Sequence, residues 1–301
     1  MNSFGRIFRI NILGESHGKK IGVLIDGCPP GISIIEDDFL RDLQRRKPGA
    51  KGTTTRIEED IPQFETGIKK FVTTGAPILI SFENKNIISS DYSDFDIKPR
   101  PGHSDFVSMM KFKNHSDLSG GGHFSGRLTL GLVAAGVIAK RILKNIAIEA
   151  KLIEAGGIKD IDSAVEKALA EKDSIGGLIE CRISNIPIGI GEPFFDSLES
   201  IISHIIFSIP AIKGIEFGSG FKSAEMYGSE HNDVFIDKSG KTKTNNAGGI
   251  NGGISNGNEI VFRVAVKPTS SIGKEQTTIN FDTGKTETLS VKGRHDACIA
   301  L

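Results

Sequence analysis

Thirty-six of the 301 residues are glycine, and they come in runs: Gly120-Gly121-Gly122, Gly156-Gly157, Gly176-Gly177, Gly248-Gly249 and Gly252-Gly253. Backbone of this kind reaches positive φ and lets a ligand or a neighbouring strand come close. Most such positions mark tight turns between many short elements. Runs set among Asn, Ser and Thr are candidates for loops that cradle an anion.

Between these breaks the hydrophobic pattern alternates between strand and helix. Phe8 to Leu13 and Ile21 to Asp26 read as strands, joined by Gly14-Glu15-Ser16-His17-Gly18. Glu36 to Gln44 reads as an amphipathic helix ending before Pro48, and Ile78 to Glu83 as a strand. Residues 84–102 are polar, contain Pro99 and Pro101, and read as a long loop of the kind that carries function. Arg127 to Leu143 is apolar on most faces and predicts a buried helix. Strands follow at Ile146 to Ile153, Gly177 to Ile183, Ile215 to Phe217 and Ile260 to Lys267, with helices at Asp162 to Glu171 and Ser197 to Ser208. No linker interrupts the series, which predicts one compact α/β domain spanning residues 1–301. A faint repeat, strand then Pro/Gly turn then helix, begins at Ile25 and again at Ile183 and raises the possibility of two related halves.

Composition excludes more than it identifies. Lys plus Arg and Asp plus Glu are equal at 37 each, which argues against a protein that binds nucleic acid or a membrane surface by bulk positive charge. Cys28, Cys181 and Cys298 are far apart, so neither a disulfide framework nor a cysteine zinc site is expected, and no histidine pair has the spacing of a helical metal site. The opening residues lack the build of a signal peptide, and the longest apolar stretch, Leu128 to Ala139, is too short to span a bilayer. The expected location is the cytoplasm.

Familiar phosphate motifs fail. Gly240-Lys241-Thr242 and Gly284-Lys285-Thr286 resemble the end of a Walker loop, but Phe235 and Ile279 stand where its first glycine belongs. Three histidines do stand in glycine-flanked loops beside a carboxylate: His17, His103 and His295. A loop histidine is commonly solvated and idle; a neighbouring carboxylate that fixes its tautomer makes it a candidate acid or base. Arg45-Arg46-Lys47 closes a helix, where cations also satisfy the dipole, whereas Arg100, Arg127 and Arg294 lie in or next to glycine loops. Arginines so placed in a chain of zero net charge point to a phosphate or carboxylate ligand.

These segments resemble the chorismate synthase family, in order and over nearly the whole chain. Gly14-Glu15-Ser16-His17-Gly18 with Gly22, Asp26-Gly27, Pro29 and Gly31 resembles its first signature, and Arg45-Arg46-Lys47-Pro48-Gly49 its arginine-rich segment. Arg100-Pro101-Gly102-His103, Ile209-Pro210-Ala211-Ile212-Lys213-Gly214 and Gly228-Ser229-Glu230-His231-Asn232-Asp233 also match, as do residues 247–257, Lys267-Pro268-Thr269 and Gly293-Arg294-His295-Asp296. The middle signature departs: after the three glycines the family has Arg-Ser-Ser-Ala-Arg, and this chain has His123-Phe124-Ser125-Gly126-Arg127. Gly52 stands where many members have an arginine.

The resemblance implies a β-α-β sandwich of antiparallel sheets and helices, assembled as a homotetramer. It implies reduced FMN as cofactor, NADPH as a possible flavin reductant, and elimination of phosphate from 5-enolpyruvylshikimate 3-phosphate. It assigns His17 to the leaving phosphate, His103 to a proton or hydrogen bond toward the flavin, Asp296 to hydrogen removal, and Ser16 and Ser125 to orientation. The arginines for the anionic substrate are Arg46, Arg100, Arg127 and Arg294. The flavin falls to His123, Phe124, Ser125, Pro210, Ala211, Gly252, Lys267, Pro268, Thr269, Ser270, Ser271 and Arg294. His123 would replace a permanent charge with a titrating one, or Phe124 would stack on the ring. The alternative is a relative that binds flavin and anion without turning over.

Overall fold

The computed structural model describes residues 2–86, 95–291 and 296–301. Its contacts group the chain into two compact units.

The first unit comprises Met1–Lys144, Glu171–Asp173 and Ser270–Ala297. It holds β1 (Ser3–Phe4), β2 (Arg9–Gly14), β3 (Lys20–Asp26), α1 (Asp37–Arg46), β4 (Gln63–Thr66), the short pair β5 (Ile68–Lys69) and β6 (Val72–Thr73), β7 (Ile78–Glu83), α2 (Asp105–Lys111) and α3 (Thr129–Ile142). Five strands form an antiparallel sheet in the order β1-β2-β3-β7-β4. Pairing of Ile21 with Phe82, Val23 with Ile80 and Ile25 with Ile78 puts fully buried side chains side by side in the two central strands. Each such side chain contributes about 1.5–3 kcal/mol by leaving water. Leu130, Ala134 and Ile138 of α3 complete this core, together with Phe39 and Leu43 of α1. Their spacing of four residues puts each set on one helix face. In α1, Asp37 and Asp38 in the first turn and Arg45 and Arg46 in the last complement the helix dipole.

The second unit comprises Asn145–Ala170, Ser174–Thr269 and Cys298–Leu301. Its elements are β8 (Ala147–Ala155), α4 (Ile161–Ala170), β9 (Gly177–Ser184), α5 (Leu198–Ile206), β10 (Ile212–Phe217), the single turn α6 (Gly228–His231), the short pair β11 (Ile250–Asn251) and β12 (Ile254–Ser255), and β13 (Ile260–Val266). Four of them make a second antiparallel sheet, ordered β10-β13-β9-β8. Ile260, Phe262 and Val264 alternate inward along β13 and pack with Cys181, Leu198 and Ile202. The chain then returns to the first unit with a hairpin, β14 (Gln276–Ile279) and β15 (Thr286–Leu289).

The mixed architecture of helices and antiparallel sheets agrees with the sequence reading, and the anticipated strands and helices lie within a few residues of their expected bounds. Helix α2 and the β14–β15 hairpin were not anticipated. Both are short and carry exposed apolar residues such as Phe106, Met110 and Ile279, and the buried face of α2 is Asp105, Ser108 and Met109, so hydrophobic periodicity did not reveal them.

Gly131 and Gly136 of α3 separate close approach from simple propensity. A Cβ at 131 would lie 3.0 Å from the carbonyl of Gly22 and 3.2 Å from Ile12, whereas at 136 it would meet nothing within 4 Å. Gly136→Ala is therefore expected to raise stability by about 0.5–1 kcal/mol in denaturant unfolding, the difference in helix propensity. Gly131→Ala should fall short of that gain or lose stability outright.

Candidate active site

The loop between β2 and β3 leaves the sheet at Gly14 and returns at Lys20, and within it Ser16 is completely buried. The loop is tied down almost wholly from outside. The Ser16 amide donates to the Gly122 carbonyl at 3.0 Å, and the side-chain amide of Asn84 donates to the carbonyls of Gly18 at 2.8 Å and Glu15 at 3.3 Å. Arg56 donates from Nη1 to the Ser16 hydroxyl at 3.0 Å and from Nη2 to the Ser16 carbonyl at 3.2 Å. The triple glycine closes over this loop with φ of 60°, 83° and 52°. A Cβ at Gly120 would lie 2.6 Å from His17 Nε2 and 2.8 Å from Ser16 Oγ, so only glycine lets the backbone pass these two neighbouring polar atoms.

Arg127 follows in a short turn capped by the Ser125 hydroxyl, and its side chain is buried. Its Nε donates to Asn84 Oδ1 at 3.1 Å and its Nη1 to Asp60, while its Nη2 is buried with no partner among the described residues. Arg46, from the last turn of α1, reaches the same Asp60 at 3.3 Å and Thr129 at 3.3 Å. Burial pulls the Arg46 guanidinium down to about 10, an effect that Asp60 opposes and that Arg127 and Arg56 reinforce. Desolvation is the larger influence: this corner withholds water from its cations, and an anion entering it would meet donors that are already dehydrated.

A second set surrounds His103. Arg100 is buried and grips Asp105, with Nε and Nη2 each at 2.8 Å from its carboxylate oxygens. Its Nη1 donates to the Ser271 hydroxyl at 2.8 Å, and its guanidinium lies 4.2 Å from the Phe95 ring centroid. His103 Nδ1 is 2.6 Å from Asp105 Oδ1 and 3.0 Å from Arg100 Nη2. A guanidinium cannot accept a proton, so Asp105 is the acceptor and Nδ1 carries the hydrogen. The free ring nitrogen, Nε2, lies on the side of Gly121. Burial alone would raise the Asp105 pKa; hydrogen bonds from Arg100 and His103 outweigh it and hold the carboxyl well below the usual range.

The structure thus brings together, within the first unit, Ser16, His17, Ser125, Arg46 and Arg127 as one group, and Arg100, His103 and Ser271 as another. Ser270 joins the second group by donating to the Gly102 carbonyl at 2.8 Å. Asp296 lies at the first: its Oδ1 accepts the Thr54 amide at 2.7 Å, and its charge acts on Arg46. His123 turns its Nδ1 to the Gly14 carbonyl at 2.8 Å and its Nε2 to Asn2 Oδ1 at 3.0 Å, while Phe124 leans on Phe112. Pro210, Ala211, Gly252, Lys267, Pro268 and Thr269 belong to the second unit. There the Lys267 amide donates to the Ala211 carbonyl at 2.8 Å, and Thr269 Oγ1 is buried without a partner among the described residues. Burial, with repulsion from Lys213, lowers the Lys267 pKa. Arg294 and His295 lie outside the described residues.

Sequence reasoning missed Arg56, Glu58, Asp60 and Asn84. Glu58 accepts Arg56 Nη2 at 2.9 Å together with the backbone amides of Lys85 and Asn86 at 3.1 Å each. Burial works against the ionised form of Glu58, but these donors keep its pKa lowered. Over these positions the chain buries Glu58 and Asp60 and exposes Ile57 and Glu59. Arg56, Glu58 and Asp60 alternate with Ile57 and Glu59 in the sequence, but the backbone leaves the extended region at Asp60, where φ is 55°, so no strand pattern pointed to them.

Asp105 yields a pH-dependent prediction. A carboxyl depressed in the folded state adds stability that is present above its unfolded pKa of about 3.9 and is lost as pH falls toward the folded value. Asp105→Asn should cost about 3–5 kcal/mol at pH 7, because it strips the partner from a buried guanidinium. Denaturant unfolding should give the same difference at pH 7 and pH 5, and a smaller one at pH 3.5.

Comparison with known proteins places these arrangements in a family. The family model described as chorismate synthase matches residues 8–301. A chorismate synthase of Chitinophaga pinensis is 61% identical over 302 residues, covering 100% of this chain and 91% of that protein. Chorismate synthases of Dehalococcoides mccartyi and Methanocaldococcus jannaschii are 44% and 42% identical, each covering 99% of this chain and 91% of the relative. A crystal structure of a chorismate synthase superposes with a TM-score of 0.72 at 24% identity, covering 87% of this chain and 84% of that one, which supports the fold. The chain belongs to the chorismate synthase family.

Proposed function

We propose that the protein is a carbon–oxygen lyase that converts 5-enolpyruvylshikimate 3-phosphate to chorismate and phosphate, a step of aromatic amino-acid biosynthesis. The observation that carries the reading is the closeness of Ser16 Oγ and His17 Nε2 beside Gly120, with Arg127 nearby in the fold through their loop's shared partner Asn84. The substrate carries a phosphate and two carboxylates. Breaking its C3–O bond builds charge on the departing phosphate, and donors held at that point stabilise charge as it develops. Arg127 Nη2, buried without a partner among the described residues, and Arg46 are the cations suited to the anionic groups. Asp105 holds the Nδ1 hydrogen of His103, leaving Nε2 to exchange a proton on the Gly121 side.

Reduced FMN, when bound, would lend electron density to the breaking C–O bond and recover it as the C6–H bond breaks, so the reaction has no net redox change. The chain has groups that suit it: in the second unit the buried Thr269 hydroxyl, unpartnered among the described residues, Lys267, and Gly252, where a Cβ would meet nothing within 4 Å. Pro210, Ala211, Pro268, Ser270, Ser271, His123, Phe124 and Ser125 remain the other candidates. NADPH is the proposed reductant of the flavin, a homotetramer the proposed assembly and the cytoplasm the proposed location. Among the described residues, no helix is long and apolar enough to cross a membrane.

A second reading, a flavin- and anion-binding relative without turnover, rests on His123. Both its ring nitrogens face protein acceptors where the family carries an arginine. Anaerobic incubation with reduced FMN and 5-enolpyruvylshikimate 3-phosphate decides. Chorismate should appear with reduced FMN and not with oxidised FMN alone. His17→Ala and His103→Ala should each lower turnover by roughly 10²- to 10⁴-fold. No chorismate from the wild-type protein would leave the non-catalytic reading.

A further inference from the structure

Arg56 is absent from the site residues that the sequence suggested, yet it has the most direct hold on Ser16. Its side chain is 14% exposed and makes four contacts with two partners: Nε and Nη2 to Glu58 Oε1 at 3.2 and 2.9 Å, Nη1 to Ser16 Oγ at 3.0 Å and Nη2 to the Ser16 carbonyl at 3.2 Å. Glu58 is fixed in turn by the Lys85 and Asn86 amides. The guanidinium is therefore clamped from behind and presented to Ser16 in one orientation.

That clamp has a chemical consequence. A guanidinium only donates, so Arg56 occupies an acceptor lone pair of the Ser16 hydroxyl and cannot take its proton. The hydroxyl hydrogen must turn elsewhere. A hydroxyl that is already accepting from a cation is also polarised into a better donor. Ser16 Oγ and His17 Nε2 both flank Gly120, 2.8 and 2.6 Å from where a Cβ there would sit, and so lie close enough to each other for one anion to bridge them. We propose that Arg56 is a positioning residue that sets the polarity of Ser16, so that the Ser16 O–H and the His17 imidazole meet one anion as paired donors. The inference rests on the assignment of Ser16 and His17 to the departing phosphate. In this role Arg56 acts through Ser16 and does not itself touch the substrate.

A double-mutant cycle over Arg56→Ala and Ser16→Ala tests this, with inorganic phosphate affinity read by thermal shift and steady-state turnover measured in parallel. Arg56→Ala should weaken phosphate binding about two- to tenfold, the worth of one hydrogen bond, and should have no further effect in the Ser16→Ala background. In turnover, kcat should fall roughly 10- to 100-fold while KM stays within about threefold. Arg56→Gln, whose amide can still donate to the hydroxyl, should recover part of the loss. Should Arg56→Ala not fold, Arg56→Gln and Arg56→Lys carry the same comparison in the two backgrounds. Equal losses with and without Ser16, or a raised KM with kcat kept, would overturn the proposal, as would wild-type protein that binds no phosphate. Absence of turnover in the wild type overturns the functional reading alone, because the phosphate cycle does not depend on it.

Discussion

The Ser16–His17 loop depends on donors from other segments. Its own Gly18 amide closes one turn on Glu15, but its outward carbonyls and the Ser16 hydroxyl are satisfied by Arg56 and Asn84, and the Ser16 amide by Gly122. Buried polar backbone must find partners, so these three attachments determine where the loop can lie. Each attached residue is anchored in turn: Arg56 by Glu58, Asn84 by the end of β7 and by Arg127, and Gly122 by the glycine run. A change in any of them reaches the loop without touching it.

The same logic gives the charges their arrangement. Arg46, Arg56 and Arg127 stand against Asp60, Glu58 and Asp296, a balanced set whose members are mostly removed from water. A buried ion pair is a weak contributor to net stability, because desolvation offsets attraction. What it gives here is fixed direction. Arg127 keeps two of its donor nitrogens engaged and leaves the third for a ligand. Arg100 is engaged in a second cluster. Its donors are spent on Asp105 and Ser271, so within the described residues it holds the partner of His103.

Much of the scaffold was legible in the sequence because its signal is periodic. The alternation in β3 and β13 and the apolar face of α1 follow from burial on one side, and the apolar run of α3 from a helix that is buried on most faces. His17 and His103 were legible because they stand in glycine loops beside carboxylates. Arg56, Glu58, Asp60 and Asn84 were not, because each is polar, lies outside any glycine run, and becomes buried only when β7 and the segment before β4 pair with partners far away in sequence. No local pattern announces a buried carboxylate whose partners lie distant along the chain. The role of Asp105 was half legible: adjacency to His103 suggested a tautomer, but not the guanidinium competing for the same oxygen.

The central claim is that Ser16 Oγ and His17 Nε2 together receive the phosphate beside Gly120. A crystal structure of the protein with 5-enolpyruvylshikimate 3-phosphate and oxidised FMN, which should bind without turnover, tests it most directly. The account predicts a phosphate oxygen within hydrogen-bond distance, about 3.5 Å or less, of both His17 Nε2 and Ser16 Oγ, with Arg56 still on Ser16. A phosphate seated away from Gly120, or Arg56 released from Ser16 to grip the substrate, would contradict it.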